Sequence, residues 1–271
     1  MLRYRGLIAY LDSEETKVDM FDIKGKKVLF TGASGGLGKG MAEGMLRAGA
    51  EVVLVGASTK CLKLAEEYRA EGLNAHGLQC DLSDRAAVEK CFNAALEAMG
   101  GELDVLINAA GIQRRHNSEE FPLEDWDEVI EVNLTVSFIL CKLAGKKFIE
   151  QGRGGKIINF ASMLSFFGGF TVPAYAASKG GVAQMTKALC NEWAKYGICV
   201  NAIAPGYMDT PMNKALTDPA NPRFKEITDR IPAGRWGTAE DMLGLAIFLS
   251  SRASDYINGA IIPCDGGYLV K

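Results

Sequence analysis

Short runs of β-branched and apolar residues alternate with longer stretches of helical periodicity along almost the whole 271-residue chain, and few folds accept that alternation. Lys27–Thr31, Glu51–Val55, Ala75–Gln79, Leu103–Asn108, Lys156–Phe160 and Cys199–Ala204 read as strands, with a last one near Ala260–Pro263. Helices are predicted from about Gly36 to Ala48, from Cys61 to Glu71, from the third strand through Met99, and from Tyr175 to Tyr196. A long helix runs through Asn133 and Cys141 to the glycines at 152, 154 and 155, and a final one covers Ala239–Leu249. Repeated βαβ units of this kind predict an α/β fold of the Rossmann type, a doubly wound parallel β-sheet with helices on both faces. No linker, repeat or low-complexity tract interrupts it, so residues 21–271 are taken as a single domain and residues 1–20 as an N-terminal extension, a tail the pattern does not require. Pro205 to Pro222 reads as a loop, longer than most connections and therefore a place to look for function.

Composition narrows the partners. A formal net charge of -3 gives no electrostatic reason to expect nucleic acid or an anionic membrane. The apolar stretch Gly6–Leu11 is too short for a secretory core or a membrane span, so a cytoplasmic protein is expected. Seven cysteines without a CxxC pair read as reduced thiols, and two histidines, His76 and His116, make a metal centre an unexpected feature.

The first strand runs into Thr31-Gly32-Ala33-Ser34-Gly35-Gly36-Leu37-Gly38 and then a helix. Glycines there let backbone approach a pyrophosphate, and the helix N-terminus offers free N–H groups and a favourable dipole. The spacing of Gly32, Gly36 and Gly38 departs from G-x-G-x-x-G, and glycine-rich turns also serve plain tight packing. At the end of the second strand stand Gly56, Ala57, Ser58, Thr59 and Lys60, neither the acid of NAD binders nor the arginine of NADP binders. Ser58 or Lys60 either meets a 2′-phosphate or simply starts a helix. The expectation is NAD(H) first, with NADP(H) open.

Tyr175 and Lys179 stand four apart at the start of a predicted helix and share a face. A neighbouring ammonium favours phenolate, and such a tyrosine can give a proton to a carbonyl oxygen or take one from an alcohol while a nicotinamide exchanges hydride. Ser162, just past the fifth strand, can hydrogen-bond the same oxygen. A bare Y-x-x-x-K is common on surface helices; the ordered set is what gives it weight.

With these elements in order, the chain from residue 22 onward resembles the short-chain dehydrogenase/reductase family. The resemblance rests on Thr31-Gly32-x-x-x-Gly36-x-Gly38, Asp81, Asn108-Ala109-Ala110-Gly111, Asn133, Ser162, Tyr175-x-x-x-Lys179 and Pro205-Gly206. It implies an NAD(P)-dependent enzyme interconverting a ketone and a secondary alcohol at Ser162, Tyr175 and Lys179, with Asn133 supporting a water linked to Lys179. It also implies that Asp81 contacts the adenine, that Asn108 to Gly111 line the cofactor groove, that Lys179 holds the nicotinamide ribose and that Thr210 binds the carboxamide. Ser34, Leu37, Ser58, Leu82, Pro205, Gly206 and Met208 complete the expected cofactor contacts. Ala109 stands where the family more often has asparagine. Family resemblance further implies a homotetramer packed through the helices of Asn133 and Tyr175; apolar Tyr268–Val270 fits such an interface or the core.

Gln113-Arg114-Arg115, Ala161-Ser162-Met163-Leu164-Ser165-Phe166, Pro205-Gly206-Tyr207-Met208 and Arg230-Ile231-Pro232-Ala233-Gly234-Arg235-Trp236-Gly237 are similar to the sugar-acid branch of that family, which includes 2-dehydro-3-deoxy-D-gluconate 5-dehydrogenase and gluconate 5-dehydrogenase. A sugar acid carries a carboxylate, which guanidinium groups match with paired, charge-assisted hydrogen bonds. Arg114 and Arg115 follow the fourth strand at the sheet edge where ligands of such folds bind, as carboxylate ligands or as solvated loop arginines. The expected substrate contacts are Arg114, Arg115, Ser162, Met163 and Tyr175. His116 reads as a polar loop residue, and Phe166 and Trp236 as site covers or packing. Rival readings are a reductase for steroids, acyl-carrier substrates or neutral polyols, a non-catalytic nucleotide sensor or scaffold, which would not need Ser162, Tyr175 and Lys179 together, and a methyltransferase, which leaves the tyrosine–lysine pair unexplained.

Overall fold

The computed structural model describes residues 20–271; most of the N-terminal extension, including Gly6–Leu11, lies outside the described residues. Among the described residues seven strands form one sheet: β1 (Lys27–Thr31), β2 (Glu51–Gly56), β3 (Ala75–Gln79), β4 (Val105–Asn108), β5 (Gly155–Phe160), β6 (Ile198–Pro205) and β7 (Ile261–Cys264), in the order β3-β2-β1-β4-β5-β6-β7. Every pairing is parallel. Side chains alternate across such a sheet, and here both faces are covered, which is why the strands read as near-continuous apolar runs. Val28, Phe30, Val52, Leu54, Ile107 and Ile158 fill one core layer with Met41, Met45, Met242 and Leu249. Leu29, Val53, Leu106, Ile157 and Val200 fill the other with Val88, Phe92, Leu140, Phe148 and Leu189.

The helices that cover the sheet are α1 (Gly36–Arg47), α2 (Lys60–Ala70), α3 (Arg85–Ala98), α4 (Leu123–Ile130), α5 (Val136–Gln151), α6 (Pro173–Trp193) and α9 (Ala239–Ser250). Two others, α7 (Lys214–Thr217) and α8 (Pro222–Arg230), sit between β6 and α9. The segment expected as a loop therefore carries a short helix, and α8 follows it directly. Asn221 Oδ1 accepts from Arg223 N at 2.9 Å and Pro222 stands in the first turn, so local capping starts α8. The expected long helix through Asn133 is broken in register: a π turn, Glu131–Thr135, joins α4 to α5. Such turns insert an extra residue and re-aim side chains, often at functional sites.

The strand order reverses between β1 and β4, where Thr31 and Asn108 are register partners at the carboxyl ends. Open α/β sheets bind ligands in that crevice. Gly32, with φ of 75°, brings the first turn so near the second that a Cβ there would lie 2.7 Å from Ala110 N. At the far edge, Ala253 N donates to the Met20 carbonyl at 3.0 Å and Ile23 is buried, so the last residue of the expected extension already belongs to the fold.

Candidate active site

The crevice begins at the N-terminus of α1. Its cap is Gly35, no side chain caps it, and its first turn holds no acidic residue. N–H groups left open this way, beside glycines that add no bulk, suit a pyrophosphate. Gly35 has open space where a Cβ would stand, and the corresponding position at Gly36 lies 4.0 Å from Thr210 Cβ, so the turn and the Thr210 segment face one another. Asp81 stands exposed after β3, its carboxylate accepting from Ser83 N at 2.9 Å and Ser83 Oγ at 2.7 Å, which holds it below the usual carboxylate range. Ser58 is exposed after β2 and Leu82 is buried. These residues fit a dinucleotide, which would supply or accept the hydride that the protein cannot.

Other residues expected at the cofactor groove also have side-chain contacts within the protein. Asn108 Nδ2 donates to Asn159 Oδ1 at 3.0 Å and to Cys141 Sγ at 3.3 Å, inside the core, so the residue holds the Ala109–Gly111 turn from beneath. Asn159 Nδ2 passes the network on to Thr186 Oγ1 at 3.0 Å. Met208 is buried and packs against Gly237, while Pro205 ends β6 and Gly206 packs on Asp265.

The chemistry centres on α6. Lys179 is 4% exposed; its Nζ donates to the Phe160 carbonyl at 2.7 Å and lies 5.6 Å from the centroid of the Tyr175 ring. Burial lowers its ammonium to about 8. Burial also raises the Tyr175 hydroxyl above the usual phenol range, and the hydrogen bond with Ser162 draws it partly back. Ser162 caps a 3-10 turn, its Oγ accepting from Leu164 N at 3.1 Å. The turn is clipped to α6, because Ser165 Oγ accepts from Ser162 N at 3.3 Å and donates to the Lys179 carbonyl at 2.6 Å. Ser162 and Lys179 are thus held by backbone bonds between β5 and α6, Lys179 beside the Tyr175 ring and Ser162 in hydrogen-bond contact with its hydroxyl.

Asn133, in the π turn, is 1% exposed. Its Oδ1 accepts from Ile112 N at 2.8 Å, and its Nδ2 donates to Ile112 O at 3.0 Å and Ser178 Oγ at 3.1 Å. Gly111 lies between: a Cβ there would stand 3.2 Å from Asn133 Oδ1 and 3.6 Å from Lys179 Nζ. Asn133 therefore ties the β4 turn to α6 beside the lysine.

The constellation now has its counterpart in known proteins. Residues 26–221 match the family model described as short chain dehydrogenase. The chain belongs to that family. It is an NAD(P)-dependent oxidoreductase acting on CH–OH groups. Among its relatives, 2-dehydro-3-deoxy-D-gluconate 5-dehydrogenase of Dickeya dadantii is 46% identical over 258 residues, covering 94% of this chain and 99% of the relative. Gluconate 5-dehydrogenase of Gluconobacter oxydans is 41% identical, covering 93% and 98%. The crystal structure of a gluconate 5-dehydrogenase from Burkholderia cenocepacia, in complex with NADP and tartrate, is 39% identical with a TM-score of 0.88, covering 93% of this chain and 98% of that one.

A cleft opens beside Tyr175. About 240 Å³ in volume, it is lined by Arg115, Ser162, Met163 and Tyr175, the expected substrate contacts, together with Tyr207, Arg223, Arg230 and Tyr268. Arg114 does not line it. Its guanidinium is ion-paired to Glu128 at 2.7 Å and to Asp125 at 3.5 Å, and Asp125 also meets His116 Nε2 at 2.5 Å. Phe166 is exposed, whereas Trp236 is 9% exposed, its Nε1 donating to Thr228 Oγ1 at 2.9 Å. Tyr268 is buried and Val270 exposed. Sequence reasoning missed the α8 side of the cleft. The signal was Asn221-Pro222 followed by Phe224, Ile227 and Ile231 at helical spacing. A larger recess, about 630 Å³, lies at the opposite sheet edge around Lys26, Lys156 and Ile198, away from the tyrosine.

Proposed function

We propose that this short-chain dehydrogenase reversibly reduces a ketone on a six-carbon sugar acid, of the kind handled by the 2-dehydro-3-deoxy-D-gluconate and gluconate 5-dehydrogenases. The observation that carries the reading is Arg115: it lines the cleft with Ser162 and Tyr175, and among the described residues no carboxylate pairs with it. A cationic cleft of about 240 Å³ suits a small anionic polyol better than a sterol or an acyl chain. Relatives act on such acids by name, and one was crystallised with tartrate, itself a hydroxy acid.

In this reading Tyr175 gives its proton to the substrate oxygen, Ser162 hydrogen-bonds that oxygen, and Lys179 holds positive charge beside the ring so that the phenolate left behind is stabilised. A nicotinamide cofactor held at the α1 turn and the Thr210 segment would supply the hydride that the carbonyl carbon takes up. Asn133 acts on Lys179 through its hold on Ile112 and α6, with a water linking the two. NADP(H) is the cofactor the strand end supports, in place of the first expectation of NAD(H): Ala57, Ser58, Thr59 and Lys60 are all exposed, carry no acid to repel a 2′-phosphate and offer one cation. A cytoplasmic homotetramer completes the reading. Phe138 and Ile149 are exposed on α5, 45% and 42%, which suits a partner on that helix; among the described residues no helix is long and apolar enough to cross a membrane. The test is turnover of NADPH with 5-keto-D-gluconate, compared with a neutral ketose.

A further inference from the structure

We propose that Arg223, in the first turn of α8, works with Arg115 as a two-guanidinium clamp for the substrate carboxylate, so that the β6–α9 insertion supplies half of the acid-binding site. The inference rests on the sugar-acid reading and goes beyond it by placing the second arm on an element that the sequence alone left as loop.

Both arginines line the tyrosine's cleft, Arg115 from the turn after β4 and Arg223 from α8. Neither is in an ion pair among the described residues, although Glu226 lines the same space. Arg230, the third guanidinium there, is engaged otherwise: it lies 4.3 Å from the Tyr268 ring centroid and 6.0 Å from that of Phe167. Burial, and then the charge of Arg223, lower Arg115, so the two cations feel one another across the cleft. Two facing guanidiniums repel until an anion stands between them, and a carboxylate has two oxygens with which to accept from both.

Arg223 is held well enough to act as a fixed arm. Ile227 is buried, Phe224 stacks on Trp236 with centroids 6.2 Å apart, and Trp236 Nε1 donates to Thr228 of the same helix. Its neighbour Lys225 is turned to Asp229 instead.

The experiment uses Arg223→Ala and Arg223→Lys in the full chain. First, calorimetry titrates tartrate into enzyme saturated with NADPH, where an alcohol cannot turn over. Second, KM and kcat are compared for 5-keto-D-gluconate and neutral 5-keto-D-fructose. The clamp predicts that Arg223→Ala weakens tartrate and raises KM for the acid by at least about tenfold, with kcat kept within about threefold and the neutral KM within about twofold. Lysine restores part of the loss, as a point charge without the planar fork. Unchanged tartrate affinity in Arg223→Ala, or no binding by the unsubstituted enzyme, overturns the clamp. If the enzyme reduces no sugar acid at all, the functional reading fails, and the tartrate titration alone decides whether the two arginines form an anion site.

Discussion

Lys179 Nζ lies 5.6 Å from the centre of the Tyr175 ring, one helical turn away, and is buried with the Phe160 carbonyl as its hydrogen-bond acceptor. An ammonium in that position has been given up to burial for the sake of its neighbour. The fall from 10.5 to about 8 corresponds to a cost of about 3 kcal/mol for holding it charged. Because the folded value is below the unfolded one, the unfolded chain binds more protons between about 8 and 10.5. Stability attributable to this group therefore rises with pH across that window and is lowest below it. Lys179→Met removes the buried charge; activity is lost, while the melting temperature of the apoenzyme near neutral pH rises or holds. A marked fall in melting temperature contradicts this account of the lysine.

The same group sets a pH profile. The reductive reaction needs a proton on Tyr175 and positive charge on Lys179, so kcat/KM for ketone reduction falls as pH rises through about 8. Oxidation of the alcohol starts from the Tyr175 phenolate, which the same ammonium stabilises, so loss of charge on Lys179 slows that direction as well. Rates of ketone reduction measured from neutral to alkaline pH check this; a kcat/KM that holds or rises through about 8 does not fit.

Tyr175→Phe keeps the ring and deletes the proton. kcat is expected to fall by about two to four orders of magnitude, with NADPH affinity nearly unchanged by direct titration. Retention of kcat would remove Tyr175 from the chemistry.

Asn133→Ala leaves Ile112 N–H, Ile112 C=O and Ser178 Oγ without their partner in a buried place. The expected loss is about 1–3 kcal/mol, read by denaturant unfolding, together with lower kcat because the turn at Gly111 is no longer held against Lys179. Full stability would mean that the backbone alone holds that turn.

Arg115 and Arg114 separate cleanly. Arg115→Ala is expected to raise KM for an acid substrate at least about tenfold and for a neutral ketose little. Arg114→Ala breaks half-buried pairs with Glu128 and Asp125 that lie outside the cleft and changes KM less than about twofold. Equal effects of the two substitutions would contradict the assignment of the carboxylate to Arg115.

Much of this was legible before any coordinates. Parallel strands buried on both faces are continuous apolar runs, so Val28–Phe30, Val52–Val55 and Ile157–Phe160 announced themselves, and their alternation with helices gave the doubly wound sheet. Helical spacing puts Tyr175 and Lys179 on one face and Ser162 stands just past a strand end, but it was the ordered set of motifs resembling the short-chain dehydrogenases that singled the three out. What spacing could not supply was the choice between adjacent residues. Arg114 and Arg115 look alike in sequence, and only acids reaching up from α4 claim the first and leave the second to the cleft. The π turn at Asn133 was hidden because a one-residue slip of helical hydrogen bonds leaves the apolar pattern intact. α8 was passed over because a short polar helix, anchored by Phe224 and Ile227 against Trp236, gives too little periodicity to stand out among prolines and asparagines.

The central claim is tested most directly by following NADPH, and separately NADH, on mixing the purified enzyme with 5-keto-D-gluconate or 2,5-diketo-3-deoxy-D-gluconate. The account predicts rapid oxidation of NADPH by a six-carbon keto acid, a slower reaction with a neutral ketose, and a rate lower by about two to four orders of magnitude with Tyr175→Phe. Equal or faster turnover of the neutral ketose, or no turnover of either acid while cofactor still binds, would contradict it.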